Sequence, residues 1–518
     1  MLIDAREVAD DTTIDADICV IGAGAAGLTI ARELAGTGTS TVLLESGGFE
    51  YDSGTQALYR GRLVGLPLDP QTPVGIDSPR LRFFGGTTNH WAGFCRPFEP
   101  AYLAERPHVP SSGWPIDRAE LDRFYPRAHD VLGLADFRYD WQSWERQGVL
   151  PTPLLDTDTT PAVATQITTT PMLGTVHRDV VVDAPNVRVF LWANAVRLGL
   201  AGDGGSIDQV DVRTLTGRSF RVRARVVVLA TGGLEVPRLL LASNDVRPAG
   251  VGNGNGLVGR YFAEHLAVIG GIVVSSSSTG AFNGHLWTEH DIIVGGVART
   301  VGFQSVNVIS EGTAVDQGLL GSELTLLTVT AADDPDFRDV FPGLDEGMDL
   351  LAAEGRPAQS FALVRMLCEQ EPNPSSRVTL IRARDPLGMP RASLDWRITG
   401  DDRRSILRSL ELYGNEIARS GIGRLKIDLR PGLVDNDPWD GRLDFPVNTG
   451  SHHMGTARMH RSPRQGVVDE HCRVHDVVNL YVAGSAVFPT TGPQPPTVTI
   501  VALALRLADH LQSQTIAP

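Results

Sequence analysis

Two histidines stand side by side in the stretch Ser451–Met459, SHHMGTARM. An imidazole whose ordinary pKa lies near neutrality takes up a proton and returns it at physiological pH. His452 therefore reads as a general base for removing a hydroxyl proton, with His453 as the ring that orients it. Two other readings compete. A histidine there also serves to buttress the turn at Gly455. A metal site is the third reading, because His460, His471, Cys472 and His475 follow downstream and HCRVH looks zinc-like. Ligand spacing such as C-x-x-C with a second pair is missing, and glycine turns and an arginine interrupt the cluster, so no metal is expected.

A second constellation lies near the N-terminus. Ile18-Cys19-Val20-Ile21 is an apolar run suited to a buried parallel strand, and Gly22-x-Gly24-x-x-Gly27 follows it at once. Leu28, Ile30, Ala31 and Leu34 then fall at helical spacing, and Val42-Leu43-Leu44 leads to Glu45. Gly22 permits the tight turn, Gly24 lets the backbone approach a pyrophosphate, and Gly27 lets helix and strand pack closely. The helix N-terminus offers unpaired N–H groups to phosphates. Glu45 accepts hydrogen bonds from a ribose hydroxyl, and its charge disfavours the extra phosphate of NADP. Strand, turn, helix, strand and acid in register point to a dinucleotide site. FAD is favoured over NAD. The turn sits at the N-terminus, distant strand-like segments at Arg223–Gly233 and Asn479–Thr490 are available to close the site, and no second G-x-G-x-x-G is present.

Around these residues the chain has the composition of a globular enzyme. It has 518 residues, long enough for two or three domains or lobes. Its formal net charge of −15 disfavours nucleic acid and anionic membrane as partners. No apolar run is long enough to span a bilayer and no signal peptide is visible. The four cysteines are scattered, with no disulfide framework or C-x-x-C pair, which suggests a reducing, cytoplasmic location.

Three more stretches share a pattern with the glycine turn: RFFGGTTNHWAG (82–93), SHHMGTARM (451–459) and the segment Asn479–Asp509. Together they resemble the glucose–methanol–choline (GMC) oxidoreductases, and among these the branch of pyranose oxidases, glycoside 3-oxidases and bacterial sugar or polyol dehydrogenases. The resemblance covers about 1–110, 222–265 and 445–518. It implies an α/β (α+β overall) fold, with a Rossmann-like FAD-binding domain interleaved with an antiparallel-sheet substrate domain. The expected division is 1–110, 190–265 and 445–518 for FAD, and 111–189 and 266–444 for substrate. Strands are expected at AVIGGIVVSSSS (267–278) and RVTLIRARDPLGMPRASLDWRI (377–398). An amphipathic helix over 401–421 would have Gly421 as its stop.

The resemblance also implies a function: an FAD-dependent oxidation of a CH–OH group in a sugar, glycoside, polyol or related secondary alcohol. His452 leads the family's H-x-x-G-T pattern and would abstract the proton while hydride passes to the flavin. The implied cofactor residues are Gly22, Gly24, Ala26, Gly27, Glu45, Gly86, Thr87, Asn89, His90, Val196, Thr231, Gly484, Ser485, Pro496 and Thr497. In pyranose oxidases the residue matching His90 bonds covalently to the flavin. Relatives with a similar stretch do not all form that bond, and it is not favoured here. The electron acceptor is oxygen or a separate molecule, since no heme-attachment C-x-x-C-H is present.

The chain departs from the family at PTTGPQPPT (489–497). Members place an Asn or His before the Pro-Thr pair that opens the last helix, and here Pro495 stands there. Proline offers no side-chain donor and no N–H. The polar function is lost, or moves to Gln494, which can hydrogen-bond an alcohol but is no base. Two alternatives follow: a specialised natural-product substrate, or non-redox chemistry like that of hydroxynitrile lyases on this fold. The helix from Thr497 survives the change, because Pro is tolerated at its first position and its N-terminus still favours negative charge.

Overall fold

A computed structural model describes residues 1–68, 74–278, 282, 285–329, 344–427 and 447–515. Among these residues two large sheets and a small one organise the chain.

The first sheet has eight strands. Thr13–Ile21 lies at its centre, parallel to Thr41–Leu44 on one side and to Ser219–Leu229 on the other. Val187–Leu191 and then Leu2–Asp4 extend the parallel half. Leu480–Val482 pairs in parallel with the far end of Ser219–Leu229. Ile207–Arg213 and Asn194–Leu200 complete the sheet as antiparallel neighbours. The apolar run at residues 18–21 is buried on both faces, as a central parallel strand requires. The helix Ala25–Leu34 follows, and its Leu28, Ile30, Ala31 and Leu34 are fully buried.

The second sheet has nine strands and is antiparallel. Its middle runs Leu266–Ser275, Ser360–Cys368, Ser322–Val329, Val297–Val308, Ala162–Thr168. The expected strand at 267–278 ends at Ser275, and 279–281 lie outside the described residues. The expected 377–398 segment forms the hairpin Arg377–Arg384 and Pro390–Trp396, which joins Arg62–Gly65 in a third sheet. The amphipathic helix is Gly400–Arg419. Thr399 and Asp402 close its N-terminus reciprocally as a capping box, and Gly421 follows its end in the left-handed region.

The strand partners shift the domain limits expected from sequence. Val187–Leu191 belongs to the first sheet, so a boundary at 189/190 cuts through a strand. Phe94–Cys95 pairs with Ala162–Thr168 and belongs to the second sheet. The helix Tyr125–Leu132 packs on the C-terminal helix Thr497–Thr515, where Tyr125 meets the Thr499 hydroxyl at 3.0 Å and Arg127 pairs with Asp509. These pairings join residues far apart in the chain, and local pattern does not encode them. No described helix is long and apolar enough to cross a membrane.

Candidate active site

A cavity of about 570 Å³ lies between the parallel sheet and one face of the antiparallel sheet. The glycine turn forms one end. Gly22 has φ +101°, and a Cβ there would stand 2.7 Å from the Ala230 carbonyl oxygen. A Cβ on Gly27 would come within 1.8 Å of the Gly22 oxygen, so Gly27 serves helix–strand packing and does not line the cavity. Gly24 differs, because a Cβ there would meet nothing within 4 Å and would occupy cavity space. Ala26 lines the same end. Glu45 is buried at the wall and accepts from Ala23 N–H and Gly47 N–H, each at 2.9 Å. Thr231 Oγ1 is buried at the wall with no hydrogen-bond partner.

Gly86, Thr87 and His90 line the cavity from the turn after Gly85. Burial lowers the His90 pKa. Asn89 faces inward to its own turn, donating to the Phe84 and Gly86 carbonyls at 3.0 Å. It braces the loop and does not line the cavity. An ion network holds this segment. Burial opposes ionisation of Glu235, but Arg238, Arg80 and Arg82 outweigh it and hold the carboxyl down at about 2. Val196 does not line the cavity, whereas Ala193 and Ala195 do. Alternation along the strand turns Val196 to the core.

The histidines sit beside Glu264 and His265. Ala263 and Met454 exchange backbone hydrogen bonds at 3.1 and 3.0 Å, which brings residues 263–265 against 452–454. Ser485 donates to the His453 carbonyl at 2.7 Å, and Gly484 and Ser485 line the cavity next to it. His452 and His453 both line the cavity. His452 Nδ1 lies 2.8 Å from His265 Nδ1, and His265 Nε2 lies 3.1 Å from the Thr491 carbonyl oxygen. A carbonyl only accepts, so His265 carries its proton on Nε2. Burial pushes the His265 pKa down to about 4, so it is neutral and its Nδ1 is an acceptor. His452 must then carry its proton on Nδ1, which leaves Nε2 as a lone pair. Burial, then His265, hold the His452 pKa well below its ordinary value.

His453 Nε2 lies 3.3 Å from Glu264 Oε1, and neither atom has a hydrogen bond. The distance suits an ion pair, but burial drives both groups to neutrality: Glu264 up to about 8 and His453 down to about 3. A neutral acid facing a neutral imidazole is the state burial favours. The other Glu264 oxygen accepts from His452 N–H at 2.8 Å, which fixes the backbone of the base.

Pro495, Pro496 and Thr497 line the cavity where the C-terminal helix begins. Gln494 does not. It is fully buried, neither polar atom of its side chain has a partner, and its Oε1 folds toward Gly492. It is not placed to replace the missing Asn or His, because the proline on either side directs the backbone and turns its side chain off the wall. Opposite the glycine turn, the antiparallel sheet presents Thr165, Gln304, Glu323, Thr325 and Arg365 to the cavity.

Residues 17–313 match the family described as FAD dependent oxidoreductase, and residues 372–504 match the family described as GMC oxidoreductase. The chain is a GMC oxidoreductase, an FAD enzyme. This GMC oxidoreductase is 26% identical to the 2-methyl-1,2-propanediol dehydrogenase of Mycolicibacterium austroafricanum, over 96% of this chain and 95% of that protein. It is 24% identical to the fructose dehydrogenase large subunit of Gluconobacter japonicus, over 96% and 98%. The fold matches the crystal structure of pyridoxine 4-oxidase from Mesorbium loti with a TM-score of 0.56 at 19% identity, covering 96% of this chain and 99% of that one.

The cavity fits FAD. Gly24 leaves room for phosphates at the start of a helix, and Thr231 offers a buried hydroxyl with no protein partner. Sequence reasoning missed Glu264 and His265, which stand far from the His452 stretch in the chain. It also missed the polar sheet face. The adjacent acid and histidine in YFAEHL (261–266) were the only local trace of the first pair.

Proposed function

We propose that this GMC oxidoreductase oxidises a CH–OH group of a sugar, glycoside, polyol or related secondary alcohol, with His452 as the base. One observation carries the reading: the chain Thr491 carbonyl–His265–His452, which leaves a lone pair on the Nε2 of a residue that lines the cavity. FAD bound in the cavity supplies the two-electron acceptor for the hydrogen that leaves carbon. His452 Nε2 takes the hydroxyl proton, and its Nδ1–H stays hydrogen-bonded to His265 as the ring becomes cationic. His453, braced by Glu264 and Ser485, forms the adjoining wall. The N–H groups at the start of Thr497–Thr515 favour negative charge beside them. The relatives described above, one acting on a diol and one on fructose by their names, support an alcohol or sugar donor.

Pro495 at the cavity wall favours a second, narrower reading. Without the family's polar arm, the substrate must hold its own hydroxyl against His452 alone, which suits a specialised alcohol. Oxygen or a separate acceptor reoxidises the enzyme. The four buried, free cysteines support a reducing, cytoplasmic setting.

The test is anaerobic mixing of the holoenzyme with sugars, glycosides and polyols while the flavin band is followed. At least one alcohol is expected to bleach it, and His452→Ala is expected to keep its FAD and lose the bleaching. An unchanged reduction rate in His452→Ala removes the histidine from the mechanism.

A further inference from the structure

Of the three arginines that line the 570 Å³ cavity, Arg80 and Arg82 pair with Glu235, and Arg365 makes no ion pair among the described residues. It lies on the strand Ser360–Cys368, opposite Thr325 on one neighbour and Ile269 on the other. It is exposed and lines the 570 Å³ cavity together with His452. Among the described residues nothing accepts a hydrogen bond from its guanidinium; Glu323 feels its charge but forms its ion pair with Arg96. The other arginine near this face, Arg96, is buried and bound to Glu323 at 2.5 Å.

The position of Arg365 is informative. A second cavity of about 410 Å³ adjoins the first, and only Pro79, Arg365 and Ser451 line both. The second cavity contains none of the glycine-turn residues. Its remaining wall is Leu68, Val74, Ser78 and parts of the strand Leu266–Ser275 with Thr449. The guanidinium thus stands where the cofactor cavity opens into a separate space, and Ser451 at the same junction is the chain neighbour of the base His452. Arg365 is also close enough to push the His452 pKa down. A phosphate of FAD would be held at the glycine turn, at the start of the helix Ala25–Leu34, and none of that turn's residues lines the second cavity. A guanidinium with no hydrogen-bonded carboxylate is a fork of donors matched to a planar carboxylate or to a phosphate.

We infer that Arg365 binds an anionic oxygen group on the substrate, so that the alcohol oxidised here carries a carboxylate or a phosphate beyond the reacting carbon. Thr325 and Gln304, on the same sheet face, are the neutral hydrogen-bonding groups beside it. This rests on the alcohol-oxidation reading for the chemistry, but the anion site itself does not.

Two measurements on the holoenzyme separate the two. In the first, oxidised enzyme is titrated with acetate and, separately, with inorganic phosphate, and the flavin absorption band is followed. A saturable shift with either is expected, larger for the anion class that the substrate carries, weakened in Arg365→Lys and lost in Arg365→Gln. In the second, flavin reduction is compared for matched pairs: a sugar and its uronic acid, a polyol and its phosphate ester. The anionic member is expected to have a lower KM by about 10- to 100-fold, the range of one charge-assisted pair of hydrogen bonds. In Arg365→Gln that ratio collapses toward one. Anion shifts that persist in Arg365→Gln, or equal KM values within every pair in the wild type, overturn the assignment. If anions shift the band through Arg365 while no alcohol bleaches it, the anion site stands and the alcohol-oxidation reading fails.

Discussion

The contact between His265 and His452 makes a prediction that other roles for His265 do not share. Replacing His265 with Phe removes the acceptor at 2.8 Å from His452 Nδ1 and leaves that N–H with no partner in a buried setting. An unsatisfied buried donor costs about 1–3 kcal/mol. The ring escapes part of this by moving its proton to Nε2, which is the nitrogen needed as base. Either way the reactive tautomer is disfavoured, and the rate of flavin reduction is expected to fall by about ten- to hundredfold. The assay is anaerobic stopped-flow reduction of wild type, His265→Phe and His265→Asn across the acid range. Asn presents a carbonyl oxygen that can accept from Nδ1–H, so it is expected to recover part of the rate. A His265→Phe enzyme at full speed refutes the tautomer argument. So does a slow variant that Asn does not improve, because that pattern marks a packing role.

Three further outcomes follow from the same geometry. Gly27→Ala puts a methyl 1.8 Å from the Gly22 oxygen, so purified protein is expected to lose most of its flavin absorbance and melt at lower temperature; full FAD retention would mean that the turn relaxes freely. Pro495→Asn adds a polar arm at the cavity wall and is expected to speed flavin reduction by simple sugars by up to about tenfold, the worth of one hydrogen bond; no gain would mean that the pocket and not the missing amide excludes them. Stability is expected to peak near pH 6.5. Burial lowers His129, His265 and His285 to about 4 and His453 to about 3, so between those values and 6.5 the unfolded chain binds more protons and stability rises with pH, by at most about 3 kcal/mol for each of the first three. Glu264, raised to about 8, and Asp402, raised to about 7, act oppositely, with stability lost as pH rises through their folded values. The histidines outnumber them below 6.5, so calorimetric Tm of the holoenzyme climbs to that point and then declines. A Tm still rising at pH 8 contradicts these assignments.

The local parts of this protein were legible in its sequence. Gly22, Gly24 and Gly27 announced the turn because their spacing falls within six residues, although only Gly27 answers a steric demand made inside that stretch, and the helix Ala25–Leu34 and the strand before it follow from a short apolar pattern. The helix Gly400–Arg419 was written in its capping residues and its apolar face. His452 could be singled out because its partners in the motif are its chain neighbours. What the tertiary structure decided lies at longer range. Which face of a strand meets the cavity depends on register, so Ala195 and not Val196 lines it. Asn89 and Gln494 have the right chemistry in the right stretch, yet backbone geometry turns one into its own loop and the other into the interior. His265 and Glu264 reach His452 and His453 only because an isolated bridge between Ala263 and Met454 clamps two distant segments together. Arg365 became notable only when every other described cation around it had found an anion. A proton's place on an imidazole, or a charge left unpaired, is a property of the neighbours that folding supplies, and a one-dimensional pattern carries no term for them.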